Sequence, residues 1–93
     1  MRDNRFEWDD RKAARNARQH RVTFEAARLA FEDQRAIDRL DLDEPTEDRM
    51  LLTGLANDVL LAVCFAERGQ RIRIISARKA TKREQDDYNR QAP

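Results

Sequence analysis

The stretch VLLAVCFAERGQRIRIISARKATKRE, residues 59–84, decides the fold. Its first eight residues are apolar at odd and even positions alike, a pattern that suits a strand covered on both faces. A turn follows at Gly69, and the next run, RIRIISA, alternates. Ile72 and Ile74 share one face of that strand, and Arg71 and Arg73 share the other. Thr81 and Glu84 then form a capping box that opens a last helix, with Tyr88 one turn beyond Glu84. The stretch therefore reads as a central strand, a neighbour with one arginine face, and a closing helix.

Upstream, MLLTGL is a third strand that reaches the central one through an Asn57-Asp58 turn, with Gly54 expected at a strand end or bulge. Leu40 and Leu42 alternate with Asp41 and Asp43 like an edge strand, and Pro45 marks a loop. At the start, Phe6 and Trp8 fall on one face of a short strand. Asp9 then caps a helix over DRKAARNARQH, which has a thin alanine stripe at Ala13, Ala14 and Ala17. Thr23 caps a second helix, FEAARLAFED, with Phe24, Ala27 and Phe31 at helical spacing. The order β-α-α-β-β-β-β-α predicts an α+β domain, a small antiparallel sheet with helices packed on one face. Residues 1–93 form one domain, with 91–93 expected to fray.

Composition narrows the chemistry. A net charge of +1 conceals segregation: residues 32–49 carry eight acids against three arginines, and residues 67–83 carry seven bases against one acid. Cys64 is the single cysteine, which excludes a disulfide framework or a cysteine zinc site within one chain. The N-terminus lacks the apolar core of a signal peptide, and the apolar run at 59–66 is too short to span a bilayer. A cytoplasmic protein is expected.

The basic segment has two readings. If helices cover the isoleucine face, Arg71 and Arg73 stand on the open face, with Arg78 and Lys79 just past the strand. Lys82 and Arg83 sit in the first turn of the last helix, against its dipole, and this favours an anionic ligand. The alternative is a solvated edge balanced by the acidic segment. For a phosphate ligand, guanidinium forks match the oxygens. A ribonuclease without metal needs a base for the 2′-hydroxyl, cations for the phosphorane and an acid for the leaving oxygen. His20, Glu67 and the arginines are the candidates. Against these, His20 also suits a helix C-terminus and Glu67 an ordinary turn. The acids Asp41, Asp43, Glu44, Glu47 and Asp48 match no EF-hand spacing and read as a solvated loop. Phe6 and Trp8 read as core, and Tyr88 either stacks on a base or packs against the sheet. No glycine phosphate loop or Ser/His/Asp set is present.

Several residues, taken in order, resemble the BrnT family of type II toxin–antitoxin toxins. They are FEWD at 6–9, Lys12 and Asn16 ahead of His20, VTFEAA at 22–27, Phe31 followed by Asp33, Arg49 ahead of Gly54, and ERGQRIRIISARKATKRE at 67–84 followed by Tyr88. The resemblance implies a RelE-like α+β fold and a ribonuclease that arrests growth by cutting RNA without a metal or other cofactor. It implies a cognate BrnA-like antitoxin whose ribbon-helix-helix part binds operator DNA, so that DNA is met only through that partner. It implies catalytic roles for Arg78, Arg73, Glu67 and His20. RNA contacts are implied for Arg68, Arg71, Lys79, Lys82, Arg83, Lys12, Asn16 and Tyr88.

Two departures stand out. Gln19-His20-Arg21 replaces the usual basic residue, histidine and glycine, and Met50 replaces an aromatic. An Arg21 in the left-handed region costs about 1 kcal/mol relative to glycine. Two other function classes are compatible with the residues: a catalytically inactive homologue that binds nucleic acid or antitoxin, and a structural domain whose basic strand docks on an acidic partner.

Overall fold

The computed structural model describes residues 1–42 and 48–91. Its elements are β1 (Phe6–Glu7), α1 (Asp10–His20), α2 (Phe24–Ala30), β2 (Ile37–Leu40), β3 (Met50–Ala56), β4 (Val59–Arg68), β5 (Arg71–Lys79) and α3 (Lys82–Asn89), the expected order. They build one five-stranded sheet, β1-β5-β4-β3-β2, with β4 at its centre. All neighbours are antiparallel except β1, which runs parallel to β5 with Phe6 opposite Ile72 and Glu7 opposite Arg73. Asp43, Glu44, Pro45 and Glu47 of the acidic stretch, and the chain end at Ala92 and Pro93, lie outside the described residues. Among the described residues, no helix is long and apolar enough to cross a membrane.

The two faces of the sheet follow from the period of two. Leu61, Val63 and Phe65 of β4 join Ile74 and Ala77 of β5 and Leu52 and Ala56 of β3 in the core under α1 and α2. Phe6 and Trp8 complete that core, Trp8 meeting Phe24 edge-to-face and Phe31 bridging Phe6 and Phe65. The other parity of β4, Ala62, Cys64 and Ala66, is also buried, which is why 59–66 reads as continuously apolar. α3 serves this second face, since Glu84 reaches Arg78 and Arg39 rather than the core cluster. The helical cover is therefore split between the two sides.

Each helix boundary has a local cause. Asp9 accepts from the Arg11 and Lys12 amides, Thr23 from Ala26, and Thr81 forms the full capping box with Glu84. The hairpin between β3 and β4 turns through Asn57 and Asp58 at φ 49° and 67°, as a two-residue turn of this hand requires. Gly54 lies inside β3 rather than at its end. A Cβ there would come within 2.7 Å of the Ala30 carbonyl, so the glycine is needed for the close approach of α2.

β5 departs from regular alternation, and the departure builds the site. Its register against β4 shifts between Cys64 and Phe65, so that Phe65 faces Ile74, Cys64 faces Ser76, and Ile75 is the extra residue. Arg73 and Arg78, five apart in sequence, would face opposite sides of an ideal strand. The bulge turns both to the second face, Arg73 opposite Ala66 and Arg78 opposite Ala62. Arg78 and Lys79, expected just past the strand, belong to it.

Candidate active site on the arginine face

The floor of the second face is made of small side chains: Ala62, Cys64 and Ala66 from β4, Ser76 from β5 and Thr53 from β3. Small residues here leave room for long ones to lie across the sheet, and the long ones are arginines. Arg73 donates to Glu7 at 2.8 Å, a pairing set by the parallel register of β1 on β5. Arg78 donates through both terminal nitrogens to Glu84, at 2.7 and 3.1 Å, and Arg39 of β2 reaches the same carboxylate at 3.3 Å.

Glu84 is the buried hub of this arrangement, with 5% of its surface exposed. Burial works against its charged form, but hydrogen bonds from Arg78 and the Thr81 amide outweigh it and hold the carboxyl at about 2. The same hydrogen bond raises Arg78 above the ordinary arginine range. Both groups stay ionised over the whole physiological range.

α1 forms the adjoining wall. β1 covers only the first part of β5's outer edge, and Asn16 covers more of it. Its amide donates to the carbonyls of Ala77 (2.8 Å) and Val22 (2.9 Å) and accepts from the Ala77 amide (3.1 Å). One side chain thus supplies a further rung to the ladder and docks α1 against β5. Lys12, Asn16 and His20 recur at helical spacing, so docking one turns the other two toward the sheet. The result is a cleft of about 220 Å³ lined by Lys12, Arg15, Gln19, His20, Arg49 and Ser76, with Asn16 and Ile75 at its base. Ser76 joins it to Arg78, two residues or roughly 7 Å along the strand. Arg21 ends α1 at φ 58°, the left-handed conformation, with its amide donated to the Ala17 carbonyl.

The expected site residues therefore separate. Lys12 and His20 share the α1 cleft, and Arg73 and Arg78 share the sheet face beside it. Arg83 lines a second cleft of about 420 Å³ with Arg39, Arg78 and Glu84. Asn16 is buried, its amide wholly engaged in docking α1. Tyr88 is also buried and gives its hydroxyl to Asp33 at 2.6 Å, which raises its pKa and keeps it protonated. Asp33 also accepts from the Leu55 and Arg35 amides, so Tyr88 fastens α3 to the sheet edge. Glu67 faces Ile72, on the parity opposite Arg73, and is exposed at the hairpin end with Arg68. Arg71 donates to the Asp3 carbonyl at 2.7 Å, Lys79 is exposed on the Ala77 parity, and Lys82 pairs with Asp86.

Glu7, Arg39, Ser76 and Glu84 complete the face and were not among the expected site residues. Glu84 carried a signal only as a capping residue. The β1 register that brings Glu7 to Arg73 has no local signature. Among the described residues, no group of three or more His, Cys, Asp or Glu side chains could hold a metal ion.

Comparison with curated proteins gives no significant match. A protein-family match does cover this architecture. Residues 8–84, from the edge of β1 through both clefts to Glu84, match the family described as "Ribonuclease toxin, BrnT, of type II toxin-antitoxin system". With most of the chain inside that match, and the arginine face and the α1 stripe with it, the protein belongs to the BrnT family of ribonuclease toxins.

Proposed function

We propose that the protein is a metal-independent RNA endonuclease that cuts by attack of a 2′-hydroxyl on the adjacent phosphorus. The observation that carries this reading is the α1 cleft. Lys12, Arg15 and His20 line it with Arg49 and Ser76, and among the described residues no carboxylate lines it. An anionic backbone is the ligand such a cleft favours.

In this mechanism His20 takes the 2′-hydroxyl proton as the oxygen attacks phosphorus. The pentacoordinate phosphorane gathers charge on its equatorial oxygens, which Arg78 and Lys12 stabilise. The bond from phosphorus to the 5′-oxygen then breaks, and that oxygen takes a proton from solvent at the open mouth of the cleft. The products are a 2′,3′-cyclic phosphate and a 5′-hydroxyl. His20 is preferred over Glu67 as the base because Glu67 belongs to the parity opposite Arg73.

Neutralisation follows from the same surface. A BrnA-like antitoxin that covers the arginine face with an acidic segment blocks RNA by occupying the same guanidinium groups, and its ribbon-helix-helix part carries the operator contact. The test is cleavage of ribosome-free RNA in EDTA by wild type and His20→Gln, with the new ends analysed. Cyclic phosphate ends from wild type alone are expected. Cleavage that needs added divalent cation, or equal cleavage by His20→Gln, overturns the mechanism.

A further inference from the structure

Arg78 and Arg39 start from β5 and β2, at opposite sides of β4 and β3 and roughly 14 Å apart at the sheet. Their guanidinium groups nevertheless converge on one carboxylate, Glu84. The small floor makes the convergence possible, since Ala62 faces Arg78 and Thr53 lies in the same cross-strand row.

Two cations on one carboxylate exceed what the carboxylate needs. Both Glu84 oxygens are satisfied by Arg78, and the Thr81 amide adds a third donor, before Arg39 is counted. Arg39 is 58% exposed in its side chain, so its ion pair adds little to stability. Two guanidinium groups side by side repel unless an anion is shared between them. Glu84 supplies that anion from within, and holds Arg78 by its two terminal nitrogens. Among the described residues the Arg78 Nε–H meets no acceptor, and it is not buried. Arg78 also donates to the Lys79 carbonyl at 3.3 Å, and both arginines line the cleft of about 420 Å³ with Thr81, Arg83, Glu84 and Asp87.

We propose that Glu84 is a positioning residue that joins Arg78 and Arg39 into a clamp for one phosphodiester group of the RNA. The proposal rests on the ribonuclease reading and adds to it a residue, Arg39, at the phosphate that Arg78 contacts. Arg39 provides the exposed jaw, Arg78 the fixed jaw, and Glu84 sets the plane of both without touching RNA.

The experiment is binding of a fully 2′-O-methylated, hence uncleavable, single-stranded RNA across a salt series. It compares wild type, Arg39→Ala, Glu84→Gln and the double variant, with thermal melts to confirm folding at the assay temperature. Arg39→Ala is expected to weaken binding about tenfold at low salt and to reduce the slope of log K against log salt by about 0.7, one phosphate contact on a single strand. Its melting should match wild type, so this arm stands whatever Glu84→Gln does to the fold.

Glu84→Gln has a signed outcome. Removing a negative charge from a basic face should tighten RNA binding if Glu84 is only a countercharge. A positioning residue gives the opposite, weaker binding, and a smaller loss when Arg39 is already alanine. An unchanged salt slope for Arg39→Ala, or tighter binding by a folded Glu84→Gln, overturns the clamp while leaving the ribonuclease reading in place. Failure of wild type to bind or cut RNA overturns both.

Discussion

The two faces of the sheet are made by the same strands and differ in what their alternate residues are for. On the face under α1 and α2, Phe6, Phe24, Val63 and Ile74 are almost fully buried and their volumes interlock. On the other face the floor residues are Ala62, Cys64, Ala66 and Ser76, and above them lie Arg39, Arg73 and Arg78, with the Asp41 carboxylate accepting from the Cys64 thiol. Bulk on the first face supplies stability through apolar burial and close packing. Smallness on the second makes room for cations, which are then kept in place by buried or half-buried carboxylates. One face holds the fold and the other holds charge.

The comparison implies a graded set of substitutions. Phe24→Ala, on the packed face, removes a ring against Trp8 and should destabilise by about 3–5 kcal/mol in urea unfolding. A loss under 1 kcal/mol would mean that the packed face does not carry the stability.

The charged face has a different signature, in acid. The folded Glu84 carboxyl titrates at about 2, against an ordinary value of 4.5. A depressed carboxylate stabilises the fold above its unfolded pKa, and that contribution disappears as pH falls from about 4.5 through about 2. The shift corresponds to about 3 kcal/mol, and screening of the half-exposed Arg78 makes this an upper figure. Wild type should therefore lose more stability over that window than Glu84→Gln, measured by urea midpoints at stepped pH. Parallel profiles would remove Glu84 from its role.

Arg78→Ala would combine loss of the proposed phosphate contact with a buried carboxylate short of partners, so loss of activity in that variant does not by itself identify catalysis. Arg78→Ala with Glu84→Gln should recover part of the stability and none of the cleavage. At the junction of α2 and β3, Gly54→Ala should cost about 1–3 kcal/mol, because its Cβ meets a backbone carbonyl. The smallest effect has the opposite sign. Arg21→Gly relieves a left-handed arginine at φ 58° and should stabilise by about 0.5–1 kcal/mol. No gain there would mean that the Arg21 side chain makes a compensating contact.

Much of this was legible in the chain. Helix caps at Asp9, Thr23 and Thr81, the Asn57-Asp58 turn and the double-sided run at 59–66 are local signals, and local signals survive folding. Strand order beyond the hairpins was not, since nothing near Phe6 states that it pairs in parallel with Ile72. The bulge at Ile75 was also hidden. Alternation alone separates Arg73 from Arg78, and only the register against β4 reunites them. Site residues divided by the same rule. Of the candidate residues, Lys12 and His20 are brought to one cleft by a single helix stripe, which spacing displays. Glu7, Arg39 and Glu84 act through pairings across 66, 45 and 6 residues, which sequence spacing does not display. Asn16 and Tyr88, read as RNA contacts, are buried and bonded to Ala77 and to Asp33.

The most direct test of the difference between the faces is a map of amide chemical-shift changes on adding an uncleavable 2′-O-methylated RNA to the labelled protein. Changes are expected to concentrate at residues 12–20 and 73–78 and at Arg39 and Arg49, with the α2 surface around Arg28 silent. Changes centred on Arg5, Arg28 and Arg35, with residues 73–78 unmoved, would contradict it.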